Sequence, residues 1–398
     1  MSQTGITPVE VEGRRLHRPR PRPPVLTLSP TTFDQLPGWG EDDVSKALPP
    51  LLDSCGRLRG LSPDQPFGPD GVDGTVGDWQ RLCRQAAKVP KEDAEAVRLF
   101  FEGWTRPWLA ADHERSEGLF TGYYEPTLQG SRRRHGRYDV PLYRRPPELV
   151  SLDLGKFRQT LRGQRLAGKV ISGELVPFAD RAGIDAGSLA GRGLELAWVD
   201  DPIAAFFLHI QGSGRIELAE GGSLRVGYAG QNGHAYVAIG RELVERGALG
   251  LDEVSLQTIR EWLHGHPDVA PEILRANPSY VFFRELSERG PVGAQGLVLE
   301  PGRSLAVDRS FHALGVPMWL DTTLPGTDPG SPGTPFRRLL VAQDTGGAIR
   351  GPVRGDVFWG PGEVAEEIAG RMRQAGRLWL LLPSEVTPPS TLPGGPAH

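Results

Sequence analysis

Arg338-Leu339-Leu340-Val341-Ala342-Gln343-Asp344-Thr345-Gly346-Gly347-Ala348-Ile349, with Arg354-Gly355-Asp356-Val357-Phe358-Trp359-Gly360 shortly after, decides the reading of this chain. Two apolar runs, 338–342 and 356–359, are too short for helices and are bounded by glycine, so both read as strands. The first runs into Asp344 and the second opens on Asp356. A third aspartate has a similar setting, Asp308 in Ala306-Val307-Asp308-Arg309-Ser310. A strand end is a rigid mount that can aim a carboxyl into a cleft. Taken singly, each aspartate reads more readily as a turn residue bonding its own backbone. Asp356 has the most apolar neighbours, which disfavour the charged form. A carboxylic acid still protonated near neutral pH is what glycosidic cleavage requires.

Outward from this stretch the texture is the same. Glycine (52) and proline (37) fill more than a fifth of the 398 residues, against a usual share of roughly 12%. Most of the glycines are mixed with β-branched and aromatic residues, the pattern of short strands with tight turns. Strands are expected at 119–126, 139–143, 195–198, 204–211, 214–218 and 223–229, then at 280–283, 298–299, 305–307, 318–320 and 377–382. Helices are expected at 42–60, 77–88 and 91–104, the last with Val97, Phe100, Phe101 and Trp104 on one stripe. Others are expected at 233–247, 252–263, 267–276 and 362–375, with Gly376 as the C-cap of the last. The fold class is mainly β with flanking helices, an α+β arrangement. Residues 1–41, with alternating Arg and Pro from Arg18 to Pro24, read as a disordered basic leader, and 384–398 as a disordered tail. Cys55 and Cys83 form a bridge if the compartment is oxidising and are two buried thiols otherwise.

Several function classes are excluded. The net charge of −4 does not suit nucleic acid or an anionic membrane surface as main partner. No apolar run is long enough to span a membrane. His264 and His266 are two apart and the cysteines lack CxxC spacing, so no metal site is expected. Gly212-Ser213-Gly214 lacks the third glycine of a dinucleotide loop and the spacing of a nucleophile elbow. No nucleotide and no cofactor are expected.

The chain resembles the membrane-bound lytic murein transglycosylase A family. The resemblance is carried by Phe120-Thr121-Gly122-Tyr123-Tyr124-Glu125-Pro126, His209-Ile210-Gln211-Gly212-Ser213-Gly214-Arg215-Ile216, Gly227-Tyr228-Ala229-Gly230-Gln231-Asn232-Gly233, Asn277-Pro278-Ser279-Tyr280 and the three aspartate segments of a 3D module, in that order. It implies a double-psi β-barrel built from a helical segment with the first barrel strands (42–126) and the C-terminal part (291–383). A smaller β-domain (127–290) is inserted between them, with a glycan groove between the two.

The implied activity is cleavage of the β-1,4 bond between N-acetylmuramic acid and N-acetylglucosamine without water, leaving a 1,6-anhydro ring. Asp356 would be the acid/base and Asp344 its tuning or sugar-binding neighbour. Asp308 would be structural. Thr121, Gly122, Tyr123, Tyr124, Gln211, Gly212, Ser213, Gly214, Gln231 and Trp359 would bind substrate. Arg354 and Gly355 stand where related barrels often carry His-Phe. The alternatives are a hydrolase using water with Asp344 as second carboxylate, and a non-catalytic glycan-binding module. The implied partner is peptidoglycan, with cell-wall enzyme complexes as candidate associates and a monomeric chain. The implied place is the periplasm or outer-membrane face of a Gram-negative cell, although no signal peptide or lipobox is visible.

Overall fold

The computed structural model describes residues 23–161, 164–251, 253–287, 290–326 and 333–393. In chain order it has β1 (Val25–Pro30), α1 (Leu48–Gly56), α2 (Val76–Ala86), α3 (Ala94–Trp104), β2 (Thr105–Asp112) and β3 (Gly118–Glu125). There follow β4 (Thr127–Ser131), β5 (Val140–Tyr143), β6 (Val150–Asp153), β7 (Arg165–Ile171), β8 (Glu174–Pro177), α4 (Arg181–Asp185), β9 (Glu195–Val199) and α5 (Pro202–Gln211). Then come β10 (Ser213–Leu218), β11 (Ser223–Gln231), α6 (Ile239–Glu245), α7 (Leu256–Gly265), α8 (Ala270–Arg275) and β12 (Val281–Glu285). The last part holds β13 (Ser304–Val307), β14 (Pro317–Leu324), β15 (Thr334–Asp344), β16 (Arg354–Pro361), α9 (Glu363–Arg371), β17 (Arg373–Pro383) and β18 (Thr391–Pro393).

The large sheet runs β14-β15-β13-β16-β3-β17-β2-β1-β18, and β14 also pairs with β17. That extra pairing closes a ring of six strands, β14-β15-β13-β16-β3-β17. Within it β13–β15 and β16–β3 are parallel. This is the double-psi barrel that the resemblance implied. Parallel neighbours need long crossovers, and the crossover between β3 and the rest of the ring holds everything from β4 to β12. That excursion makes its own six-stranded sheet, β12-β11-β10-β4-β9-β5, and a three-stranded one, β6-β7-β8.

Each unit is held by its own apolar core. Trp319, Leu339, Leu340 and Leu380 fill the barrel side, together with Leu51 of α1, Trp79 of α2 and Phe101 of α3. Thr75 and Asp78 form a capping box that starts α2, and Asp93 caps α3. These satisfy backbone N–H groups that the first turn leaves unpaired. Cys55 and Cys83 are joined as a disulfide that ties α1 to α2. A buried bidentate ion pair, Arg303 to Asp42 at 2.7 and 2.8 Å, fastens the N-terminal segment to the start of β13. In the insert, Leu142, Ile216, Val226 and Phe283 form one cluster, and Phe206, Leu243, Leu263 and Ile273 another among the helices.

Four sequence expectations are corrected. Residues 204–211 are helix, not strand: Asp201 caps it, Pro202 takes its first turn and Gly212 ends it with φ +78°. The helix is buried on nearly every side, so it shows no polar stripe to reveal its period. The leader is ordered from Val25, because β1 alternates Leu26 and Leu28 into the core and pairs with β2. The tail returns as β18 against β1. The rest of both proposed tails, 1–22 and 394–398, lies outside the described residues. Gly376 caps nothing: α9 stops at Arg371, and Gly376 lies inside β17, where a Cβ would sit 2.8 Å from Phe120 and 2.9 Å from the Asp321 carbonyl. Two smaller differences concern single residues: 298–299 contributes an isolated bridge to Val292 instead of a strand, and Trp104 ends α3 partly exposed.

Candidate active site

The parallel β3–β16 pairing sets Thr121 opposite Asp356. The Thr121 hydroxyl donates to Oδ1 of Asp356 at 2.8 Å. Oδ2 of Asp356 accepts no hydrogen bond among the described residues and is not sealed from solvent. Asp356 is therefore half-buried, open on one oxygen and surrounded by protein elsewhere. Burial pushes its pKa up to about 6; Arg354 and the Thr121 hydroxyl act downward, and the charge of Asp344 acts upward.

Asp344 ends β15 and is bound on both oxygens. Oδ1 accepts from the backbone N–H groups of Ala294 and Thr345, each at 2.8 Å. Oδ2 accepts from the Tyr123 hydroxyl at 2.8 Å. Burial still raises its pKa against these three donors. The Tyr123 hydroxyl is held firmly protonated, first by burial and then by Asp344. It is a fixed donor, not an acid. Ala306 of β13 pairs with Asp356 on one side and with Asp344 on the other, so both carboxylates rise from one face.

In the sequence Arg354 stands out only as a departure from the His-Phe pattern. In the fold it donates to the Thr121 hydroxyl at 2.8 Å and to the Gly355 carbonyl. A signal was available: residues two apart on a strand share a face, so Arg354 had to lie beside Asp356. The backbone N–H of Ala294 had no such signal.

The remaining candidates divide. Tyr124 faces the other way from Tyr123 and packs on Ala365 and Ala369 of α9. Gly122 lies under Trp359, whose Nε1 would be 2.5 Å from a Cβ there. Trp359 packs on Phe336 and does not join Asp356. Gln211 accepts from the Tyr124 N–H at 3.2 Å, joining α5 to the barrel. Gly212 is the C-cap of α5, and Gly214 lets β10 pass Pro126, whose carbonyl would be 2.9 Å from a Cβ. Ser213 opens β10 half-buried and Gln231 ends β11 exposed. Asp308 is buried and accepts from the N–H groups of Ser310 and Gly351, which fixes the turn before β16. His209 is buried, its Nδ1 faces Arg181, and burial together with that cation drives its pKa well down; it is no proton carrier near neutral pH. Among the described residues no group of His, Cys, Asp and Glu could hold a metal ion.

Comparison with known proteins places this geometry. The MltA specific insert domain matches residues 119–284, and the 3D domain matches residues 303–382. The membrane-bound lytic murein transglycosylase A of Escherichia coli is 34% identical over 264 residues, which are 66% of this chain and 65% of that protein. The chain thus spans just under two thirds of that relative's length. The crystal structure of a membrane-bound lytic murein transglycosylase from Agrobacterium tumefaciens is 37% identical with a TM-score of 0.78, over 90% of this chain and 98% of that one. Escherichia coli MltA with bound chitohexaose is 28% identical with a TM-score of 0.64, over 90% of this chain and 91% of that one.

Proposed function

The chain belongs to the membrane-bound lytic murein transglycosylase A family, and on that premise we propose that it cleaves the β-1,4 bond between N-acetylmuramic acid and N-acetylglucosamine in peptidoglycan without water, forming 1,6-anhydromuropeptides. The observation that carries this reading is the asymmetry of the two carboxylates. Asp356 has a free, solvent-reachable oxygen and a pKa raised to about 6. Asp344 has both oxygens occupied by three donors.

A carboxyl near pKa 6 can give its proton to the leaving oxygen and, once charged, take one back. On this reading Asp356 protonates the glycosidic oxygen, and the C1–O bond breaks. The 6-hydroxyl of the same muramyl residue closes onto C1 and loses its proton to the Asp356 carboxylate. The tethered hydroxyl is present at high effective molarity, so no water needs activation. Asp344 keeps negative charge close to the reacting centre, where it favours the positive charge that develops on the sugar. The chitohexaose bound by the Escherichia coli relative supports a β-1,4 glycan as ligand here. The names of the relatives support action on murein on the membrane side where murein lies, the periplasmic side of a Gram-negative cell.

Digestion of purified peptidoglycan followed by mass spectrometry tests the reading. Anhydro ends are expected from the wild type and none from Asp356→Asn, which keeps the shape but has no exchangeable carboxyl proton. Reducing ends in place of anhydro ends would refute the water-free route. Near-normal turnover by Asp356→Asn would refute the choice of acid.

A further inference from the structure

The Thr121 hydroxyl sits between a group that only donates and a group that accepts. A hydroxyl has one proton and two lone pairs. Arg354 has no acceptor, so its contact at 2.8 Å must fill a lone pair of the Thr121 oxygen. The single hydroxyl proton is then directed along the other contact, 2.8 Å to Oδ1 of Asp356. With Oδ1 accepting from Thr121, a proton carried by the carboxyl belongs on Oδ2, the oxygen that reaches solvent.

We propose that Arg354 is a positioning residue that acts through Thr121: it fixes the hydroxyl as a donor to Oδ1 and so confines the exchangeable proton of Asp356 to Oδ2. Without the guanidinium, Thr121 could turn its proton elsewhere and accept from a protonated Oδ1, which would point the acid away from the glycan. The same arrangement favours the charged carboxylate when the proton has left, because the hydroxyl and the cation both stabilise it. Arg354 makes no direct ion pair with Asp356 among the described residues; its charge reaches the carboxyl through space, and its hydrogen bond reaches it through Thr121.

The other charges around Asp356 do not substitute for Arg354. Tyr123 on β3 and Asp344 on β15 are bonded to each other, and Glu125, at the end of β3, pairs with Arg225. On α9, Glu366 pairs with Arg260 and Glu367 with Arg371, while Glu363 stands at the helix start. Arg373 on β17 is opposite Thr121 but exposed, with no bond to it.

The inference rests on Asp356 being the acid/base, and its test reads Asp356 by direct titration beside activity. The carboxyl titration of Asp356 is followed by carbon-13 NMR in the full chain, together with the pH profile of anhydro-product release. Arg354→Met should raise the titration midpoint by about one pH unit and move the alkaline limb of kcat upward equally, with KM little changed. Arg354→Lys should restore most of both. Thr121→Val should also raise the midpoint, and the double variant should shift by less than the sum of the two single shifts. An unchanged midpoint in folded Arg354→Met, or fully additive shifts in the double variant, would overturn the relay. Should the Met variant not fold, Thr121→Val carries the same decision, and an unchanged midpoint there overturns it too. Full activity of Asp356→Asn would instead overturn the underlying assignment of the acid.

Discussion

Asp73 is fully buried in the loop before α2, and its stability effect can be worked out from the structure. Oδ2 accepts from the Ala313 N–H at 3.2 Å, and Oδ1 has no partner among the described residues. Burial raises the pKa from 3.8 to about 7. A shift of about three units corresponds to roughly 4 kcal/mol between the two protonation states. The folded chain therefore holds this proton where the unfolded chain has released it. Stability contributed by the neutral acid is complete below pH 3.8 and is lost as the pH rises toward about 7. Asp73→Asn keeps the acceptor for Ala313 and cannot ionise. Thermal melts of both proteins from pH 4.5 to 8 isolate the effect, because every other group titrates in both. The variant should gain on the wild type by about 3 kcal/mol across that range, which for a chain of this size is on the order of 4 °C. Parallel curves over the whole range would refute the assignment of a neutral buried acid.

Two further perturbations test the scaffold. Replacing both Cys55 and Cys83 by Ala opens a loop of 28 residues and should cost about 3–4 kcal/mol, read as a lower denaturation midpoint without loss of turnover in the folded fraction. Gly118→Ala should abolish folding or activity, since a Cβ there would fall 1.7 Å from the Val353 carbonyl on the pairing that aligns Thr121 with Asp356, whereas Gly347→Ala, with nothing within 4 Å, should be near neutral. Equal behaviour of the two glycine variants in activity and melting would refute the claim that β3–β16 contact sets the site.

The sequence was most legible where local rules and final geometry agree. The glycine-bounded runs ending at Asp344 and starting at Asp356 are strands; Asp344 is the last residue of β15 as expected, whereas β16 begins two residues earlier, at Arg354, and carries Asp356 third. The stripe of α3 was visible because one face meets the barrel and the other meets water. Reading failed where the local signal was masked. α5 is apolar all round, so its continuous run looked like strand. Val25-Leu26-Thr27-Leu28 alternates as β1 does, but the Arg-Pro segment before it suggested disorder throughout. The contacts that make the site were hidden for another reason. Thr121 and Asp356 are 235 positions apart, and Tyr123 and Asp344 are 221 apart. Such pairs are set by parallel register across a long crossover, which periodicity within either strand does not encode.

That register also bears on the choice between the proposed reaction and hydrolysis. Ala306 lies between Asp344 and Asp356, so the two backbones are two strand spacings apart, roughly 10 Å. In an inverting hydrolase the second carboxylate activates a water, and Asp344 is the neighbour that would have to do so. An inverting role would need a free oxygen on Asp344. One of its oxygens is held by two backbone N–H groups and the other by the Tyr123 hydroxyl. Freeing the first would give up two hydrogen bonds and freeing the second one, at about 1.5–3 kcal/mol for each bond to a charged acceptor. Ring closure by the sugar's own hydroxyl requires no such release, because on the proposed route Asp356 alone would handle the proton in both directions. The bonding of Asp344 thus favours the proposed anhydro product over hydrolysis.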